Sequence, residues 1–360
     1  MRKSVLFILI VSLISFFFIA STSIAAPKRL KFASYISADH PVNLSFTWFA
    51  KEFERRTDGR YKVETYYSGA LGKAQELVDL CSTGAADAIF CAVGYTPDKF
   101  VLTRGFESIY VTENPLAWGK AIWDMYNSFP PLKEEWEKKN NLIFAFFSGM
   151  DNNSIIAKKP INDVQGLKGM KLRSYAAIGK MVKLLGAEPV SIAYPETYDA
   201  IHRGVIDGGT GIGYLSALAS KLWEVAPYII NPGCGVYGLT FTAISKKTYD
   251  NLPAGDRQIM DEVRKDAAEK HIEFMIEEQK KITETFLKKG VKLINWSKES
   301  KLAARKICVP AVWDDWLDEA KKKGLPADEF FDTYKSAIKK WESDPTCSQY
   351  EDPFDYFTKM

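Results

Sequence analysis

Apolar positions along the chain change period repeatedly, and the changes predict alternating strands and helices. Arg29 to Ser34 alternates weakly and Tyr61 to Tyr66 clearly, as half-buried strands do. Between them Asp39-His40-Pro41 opens a helix with Val42, Phe46, Phe49, Ala50 and Phe53 on one face, stopped by Asp58-Gly59. Ala88 to Val93 and Leu142 to Phe147 are almost unbroken apolar runs, and the first reads as a strand buried on both faces of a parallel sheet. Helices are predicted from Glu76 to Ser82, from Asn114-Pro115 towards Met125, and from Leu132 to Lys139. The class is therefore α/β.

Ser148 to Asn153 is rich in turn formers and marks a crossing into a second lobe. That lobe is predicted to hold Ile155 to Ala157, a short strand ending at Arg173, a helix from Tyr175 to Leu185, and Pro189 to Ile192. A helix opened by Pro195 and stopped by Gly204 comes next, then a two-residue strand, Val205-Ile206, and a glycine-rich turn. A helix from Tyr214 to Val225 leads to Tyr228 to Ile230, and Gly238 to Ser245 reads as a strand returning to the first lobe. Ala254 to Lys289 contains no proline and would form a helix roughly 50 Å long, enough to span both lobes. The remainder, with Trp313, Trp316 and Trp341, reads as helices packed on the second lobe. The expected division is residues 26–150 and 238–270 for lobe I, and 151–237 and 271–360 for lobe II.

Composition narrows the function. Met1-Arg2-Lys3, the apolar run from Val5 to Ala20 and the small residues Ser23-Ile24-Ala25 make residues 1–25 read as a cleavable secretory signal peptide, so the mature chain is expected to be soluble and exported. Without Arg2 and Lys3 the formal charge falls from +3 to +1, which argues against a nucleic-acid partner. Five cysteines, at 81, 91, 234, 308 and 347, show no C-x-x-C spacing and no metal-site pattern; a Cys308–Cys347 disulfide is possible, and buried thiols account for the others. Three separated histidines, and the lack of a nucleophile elbow, zinc motif or P-loop, argue against an enzyme, and no cofactor is expected.

Two motifs carry the chemistry. Leu167-Lys168-Gly169-Met170-Lys171-Leu172-Arg173 sets a guanidinium at a strand end, where its planar fork matches a carboxylate. Pro195-Glu196-Thr197-Tyr198-Asp199-Ala200-Ile201-His202-Arg203-Gly204-Val205-Ile206-Asp207-Gly208 follows about two dozen residues later. Together they resemble the DctP-type binding proteins of TRAP (tripartite ATP-independent periplasmic) transporters, over the whole mature chain. The resemblance implies a two-lobed periplasmic binding protein fold with a central cleft that closes on an organic acid, and an aromatic lining would suit an apolar or aromatic monocarboxylate. It also implies a membrane permease as partner, with a sensory receptor as the alternative; monomer and homodimer both remain open. It makes Arg173 the carboxylate anchor and Tyr194 an aromatic wall. A second arginine found in some members falls here near Asn153, either a hydrogen-bonding substitute or a plain turn residue, which disfavours doubly acidic ligands. Tyr35, Tyr95, Tyr175, Tyr214 and Phe147 lie at or after predicted strand ends and join the candidate lining. Where some relatives hold a cation or ligand after the Asp-Gly pair, this chain has glycines and Thr210, which disfavours a bound sodium ion and leaves backbone amides, such as those around Gly211, or a water to serve.

Overall fold

The computed structural model describes residues 26–149, 151–348 and 350–354; the predicted signal peptide lies outside them. The first sheet begins with β1 (Lys28–Ser34), followed by helix α1 (Leu44–Arg56), β2 (Tyr61–Tyr66), helix α2 (Leu77–Thr83) and β3 (Ala88–Ala92). Helix α1 buries Phe46, Phe49, Ala50 and Phe53 on this sheet, each phenylalanine contributing about 2–3 kcal/mol. Helix α2 stops at Gly84, whose φ of 80° is the left-handed turn that glycine adopts without penalty. Helix α3 (Pro115–Ser128) starts where predicted, because the Asn114 side chain accepts Leu116 N and Ala117 N at 3.0 and 3.1 Å. Strand β4 (Leu142–Phe147) is buried throughout.

The second sheet begins with β5 (Asn153–Ala157), β6 (Lys171–Arg173), helix α4 (Ala176–Leu184) and β7 (Glu188–Val190). Helix α5 (Thr197–His202) precedes β8 (Gly208–Gly213), helix α6 (Tyr214–Ala219) and β9 (Tyr228–Asn231). The chain then gives β10 (Thr240–Ser245), the long helix α7 (Ala254–Lys289), β11 (Lys292–Asn295), α8 (Lys298–Lys322) and α9 (Ala327–Glu342). Strand order is β2-β1-β3-β10-β4 in the first sheet and β11-β9-β5-β8-β6-β7 in the second. Strand β3 runs parallel to β1 but antiparallel to β10, so the first sheet is mixed. Helix α7 packs on α1 and β4 at one end and on α6 farther along, joining the two lobes as its length predicts.

Four expectations need correction. The glycine run is not a turn after a Val205-Ile206 strand; Gly208–Gly213 is itself the buried strand β8, while Val205 and Ile206 lie in the loop before it. Bareness is what lets it pair closely, since a Cβ on Gly208 would sit 2.0 Å from Ile156 O. The short edge strand β11 was not foreseen. The C-terminal helices are not confined to the second lobe. Helix α8 packs on α4, but Trp316 donates to Val101 O at 2.7 Å in the first lobe, and α9 packs on α3. Finally, Cys308 and Cys347 do not pair. Both are free and buried, Cys308 against Met181 beside α4 and Cys347 in the larger core, beyond α9.

Candidate functional site

Strand β6 owes its position to the Asp-Gly motif. The Asp207 carboxylate accepts Lys171 N at 2.9 Å, and Asp207 N donates to Lys171 O at 2.8 Å, which clamps β6 against the start of β8. Arg173 then stands at the end of β6, paired with Gly209 on one side and Val190 on the other. Its side chain is 1% exposed. Nε donates to Ile192 O at 3.1 Å, and Nη1 donates to Thr210 O and Gly211 O at 3.1 and 3.3 Å. These three carbonyls fix the plane of the fork. Among the described residues Arg173 makes no ion pair, and Nη2 donates to no protein group. The guanidinium therefore carries its positive charge into the interior without an acidic partner among the described residues.

Tyrosines surround this cation. The Arg173 guanidinium carbon lies 4.8 Å from the Tyr175 ring centre. Tyr175 stacks with Tyr95 at 6.3 Å, and Tyr95 meets Tyr35 edge-on at 5.2 Å. Burial raises the pKa of all three hydroxyls, and nearby Arg173 lowers it in part. Tyr35 and Tyr95 belong to the first lobe, whereas Arg173, Tyr175 and Tyr194 belong to the second. Two hydrogen bonds close the space between them. Tyr194 N donates to Tyr95 Oη at 3.1 Å, and His40 Nε2 meets Tyr194 Oη at 3.1 Å. Tyr194 O–H donates to Ser216 O at 2.8 Å, so His40 supplies the proton of the second bond. Its Nδ1 is then free to accept Val42 N. Burial lowers the His40 pKa to about 4, in keeping with a neutral ring.

Asn153 acts through its neighbour. Its Oδ1 accepts Gly211 N at 2.6 Å and Ile212 N at 3.2 Å, while Nδ2 donates to Thr210 Oγ1 and Cys234 Sγ. The β5–β8 register slips beside it, between Ser154 and Ile155, and Gly211 has a φ of 72°. Asn153 therefore holds the bulge that turns the Thr210 and Gly211 carbonyls towards Arg173. The Thr210 hydroxyl is engaged by Asn153.

Two candidate residues are not brought to Arg173. Phe147 packs edge-on against Trp118 at 4.6 Å and against His271 at 6.0 Å, and lines a cavity of about 160 Å³ beside α3 and α7. Tyr214 is fully buried against Phe354 of the C-terminal segment, 5.0 Å between rings. Position at a strand end or helix start gave neither side chain's direction. Two residues not singled out from the sequence pack into the same cluster. Tyr237 lies 5.5 Å from Tyr175, ring to ring, and His40 locks Tyr194. Tyr237 sits between Gly235 and Gly238 on the return crossing, a context that announces a turn but not an aromatic wall. Glu107 was also missed. It is buried, accepts Leu239 N at 2.9 Å, and lines an interlobe cavity of about 200 Å³ with Arg104, Lys180 and Trp316. Burial pushes its carboxyl up to about 7.

Known proteins share this architecture. A solute-binding protein of Verminephrobacter eiseniae is 29% identical over 58% of this chain, and the chain spans 62% of that relative's length. The structure of a marine metagenome TRAP solute binding protein specific for aromatic acid ligands, in complex with metahydroxyphenylacetate, superposes with a TM-score of 0.78. It covers 88% of this chain and all of its own, at 23% identity. A TRAP solute binding protein from Rhodoferax ferrireducens, in complex with copurified benzoate, gives a TM-score of 0.77 at 21% identity, covering 87% of this chain and 98% of its own. The family model for bacterial extracellular solute-binding protein, family 7 (DctP), matches residues 32–318, and with the two-lobed fold already described this chain belongs to that family.

Proposed function

We propose that the protein captures a monocarboxylate with an aromatic or apolar body in the cleft between its lobes and delivers it to a TRAP-type membrane permease. The observation that carries this reading is Arg173, a buried cation fixed by three carbonyls, with no acidic partner among the described residues and one guanidinium nitrogen uncommitted. A carboxylate supplies the missing charge and accepts from Nη2. Tyr35, Tyr95, Tyr175, Tyr194 and Tyr237 then offer ring faces to the remainder of the molecule, and their hydroxyls a few polar contacts. Asn153, spent on the Gly211 bulge, gives a second acidic group no charged clamp. The acids bound by the two structural neighbours, metahydroxyphenylacetate and benzoate, fit the same description.

Closure follows from where the contacts lie. A ligand held by Arg173 on one lobe and by Tyr35 and Tyr95 on the other binds the closed form better than the open one, and that difference drives closing. The closed face is then what the permease reads. An exported, periplasmic chain is part of the same proposal. Thermal-shift screening of the mature chain tests it. A monocarboxylate such as benzoate should raise the melting temperature, and benzamide should not. Equal stabilisation by the neutral amide would remove the carboxylate from the reading.

A further inference from the structure

The first-lobe turn that carries Tyr95 has a bare position facing the second lobe. Val93–Tyr95 is a single helical turn directly after β3. Val93 N donates to Leu239 O at 2.9 Å, which ties the turn to its own sheet, and Thr96 N donates to Val93 O at 3.1 Å, which closes it. Gly94 is the middle residue. Its φ is not positive, so the backbone there does not ask for glycine. What excludes a side chain is Tyr175, from the other lobe. A Cβ added at Gly94 would lie 2.6 Å from Cδ2 of Tyr175 and closer still to Cε2, and its three nearest heavy atoms all belong to that ring.

Tyr175 has no room to retreat. The opposite edge of its ring faces Gly211, where a Cβ would lie 3.0 Å from Cε1, and the Arg173 guanidinium carbon lies 4.8 Å from the ring centre. Tyr237 is 5.5 Å away, ring to ring, and its hydroxyl donates to Tyr175 O at 3.3 Å. The backbone beyond is fixed as well. Ala176 has a φ of 43°, in the left-handed region that a residue other than glycine keeps only where its surroundings hold it. The ring is therefore clamped, edge to edge, between two glycines. Gly211 belongs to the same lobe and travels with it, whereas Gly94 meets the ring only as the lobes come together.

We propose that Gly94 is a positioning residue for ligand capture: its missing side chain is the notch that admits the Tyr175 edge and lets the lobes close with that ring seated beside Arg173. The proposal rests on the carboxylate reading above and adds a residue that acts through Tyr175 rather than on the acid itself. The argument is steric. A methyl at position 94 cannot move the turn, which is tied to Leu239, nor the ring, which would be driven onto Gly211 and Arg173. Relief comes only from holding the lobes apart. Close-packed contacts feel a single added carbon. A protein whose closed form is a smaller share of its population binds more weakly in proportion. In the open form the overlap is absent, and a turn with this φ accepts alanine at least as readily as glycine.

The test uses the mature chain with benzoate as probe, titration calorimetry for affinity and small-angle scattering for lobe separation. Four chains are compared: wild type, Gly94→Ala, Tyr175→Ala and the double variant. Gly94→Ala should melt cooperatively, bind benzoate about tenfold more weakly or worse, and keep a larger radius than the wild type at saturating benzoate. In the Tyr175→Ala background the same substitution should weaken binding no further, because the ring it collides with is gone. Affinity unchanged by Gly94→Ala would overturn the proposal. A loss as large in the Tyr175→Ala background as in the wild type would overturn it too, by tracing the effect to a contact other than the ring. So would a Gly94→Ala chain that fails to fold, since the notch would then belong to the core of one lobe. A wild type that takes up no benzoate bears on the carboxylate reading alone. The notch is then judged on the ligand-free chains: a larger radius for Gly94→Ala that Tyr175→Ala abolishes supports it, and an equal radius rejects it.

Discussion

Arg173 and Asp151 are both buried ionisable groups of the second lobe, and they differ in the escape open to them. A carboxyl deprived of water can take up a proton and become neutral, as Glu107 and Asp151 do in having their carboxyls pushed up to about 7. A guanidinium has no such route. Its burial is tolerated through three carbonyl acceptors, which solvate it without cancelling its charge. The difference decides which of them needs a partner. Arg173 calls for an anion, whereas a carboxyl that has taken up a proton calls for no counter-charge.

The largest effect expected is on the side with no escape. Arg173→Ala should weaken carboxylate binding by about 3–5 kcal/mol, the scale for removing one partner of a buried pair, read by titration calorimetry. Arg173→Lys should recover little, because a single ammonium cannot hold Ile192 O, Thr210 O and a carboxylate in one plane. Full affinity in the lysine variant would show that charge alone, and not the fork, is what the site uses.

Next comes the side that can escape. The folded carboxyl of Glu107 titrates near 7, above its unfolded value near 4.5, so the stability it contributes is complete below about 4.5 and is lost as pH rises through 7. Glu107→Gln keeps an acceptor for Leu239 N and removes that loss. The variant should match the wild type near pH 4.5 and exceed it by on the order of 2 kcal/mol at pH 8, in denaturant melts. Parallel curves across that window would show that Glu107 is ionised throughout.

Smaller effects probe what supports Arg173. Gly211→Ala forces a side chain into a φ of 72° and brings its Cβ to 3.0 Å from the Tyr175 ring. It should lower stability by about 1 kcal/mol or more and weaken ligand binding as the bulge shifts. Loss of stability with unchanged affinity would separate the bulge from the site. Tyr194→Phe should cost about 1 kcal/mol through the bonds to Ser216 and His40, and should favour the open form, seen as a larger radius in solution scattering of the ligand-free chain. An unchanged radius would mean that Tyr95 alone suffices to hold the lobes.

Much of this was legible before any coordinates. The long helix appears over the very residues its apolar period and missing prolines mark, and β4 over its apolar run. Arg173 was visible because its meaning is carried by a motif with a turn before it and an Asp-Gly pair after it. What escaped was whatever depends on emptiness or direction. Strand β8 has no side-chain pattern to read, because glycine contributes none. Phe147 and Tyr214 stood at plausible positions, but which way a ring turns at a strand end is set by its neighbours, such as the bare Gly119 and Gly149 beneath Phe147. Tyr237 and His40 join the site through contacts across roughly 60 and 150 residues of chain, beyond the reach of any local pattern.

Strand β10 has a further consequence, for the order of assembly. It lies inside the first sheet, between β3 and β4, yet it is made nearly a hundred residues after β4. A chain emerging from its N-terminus therefore holds both neighbours with bare edges until residue 245 arrives, and the entire second sheet except β11 is synthesised in that interval. Neither lobe can finish before the other has begun, so folding is bound to pairings distant in sequence and should be slow. Open edges are templates for foreign strands, so this waiting period is the chain's point of greatest exposure to aggregation.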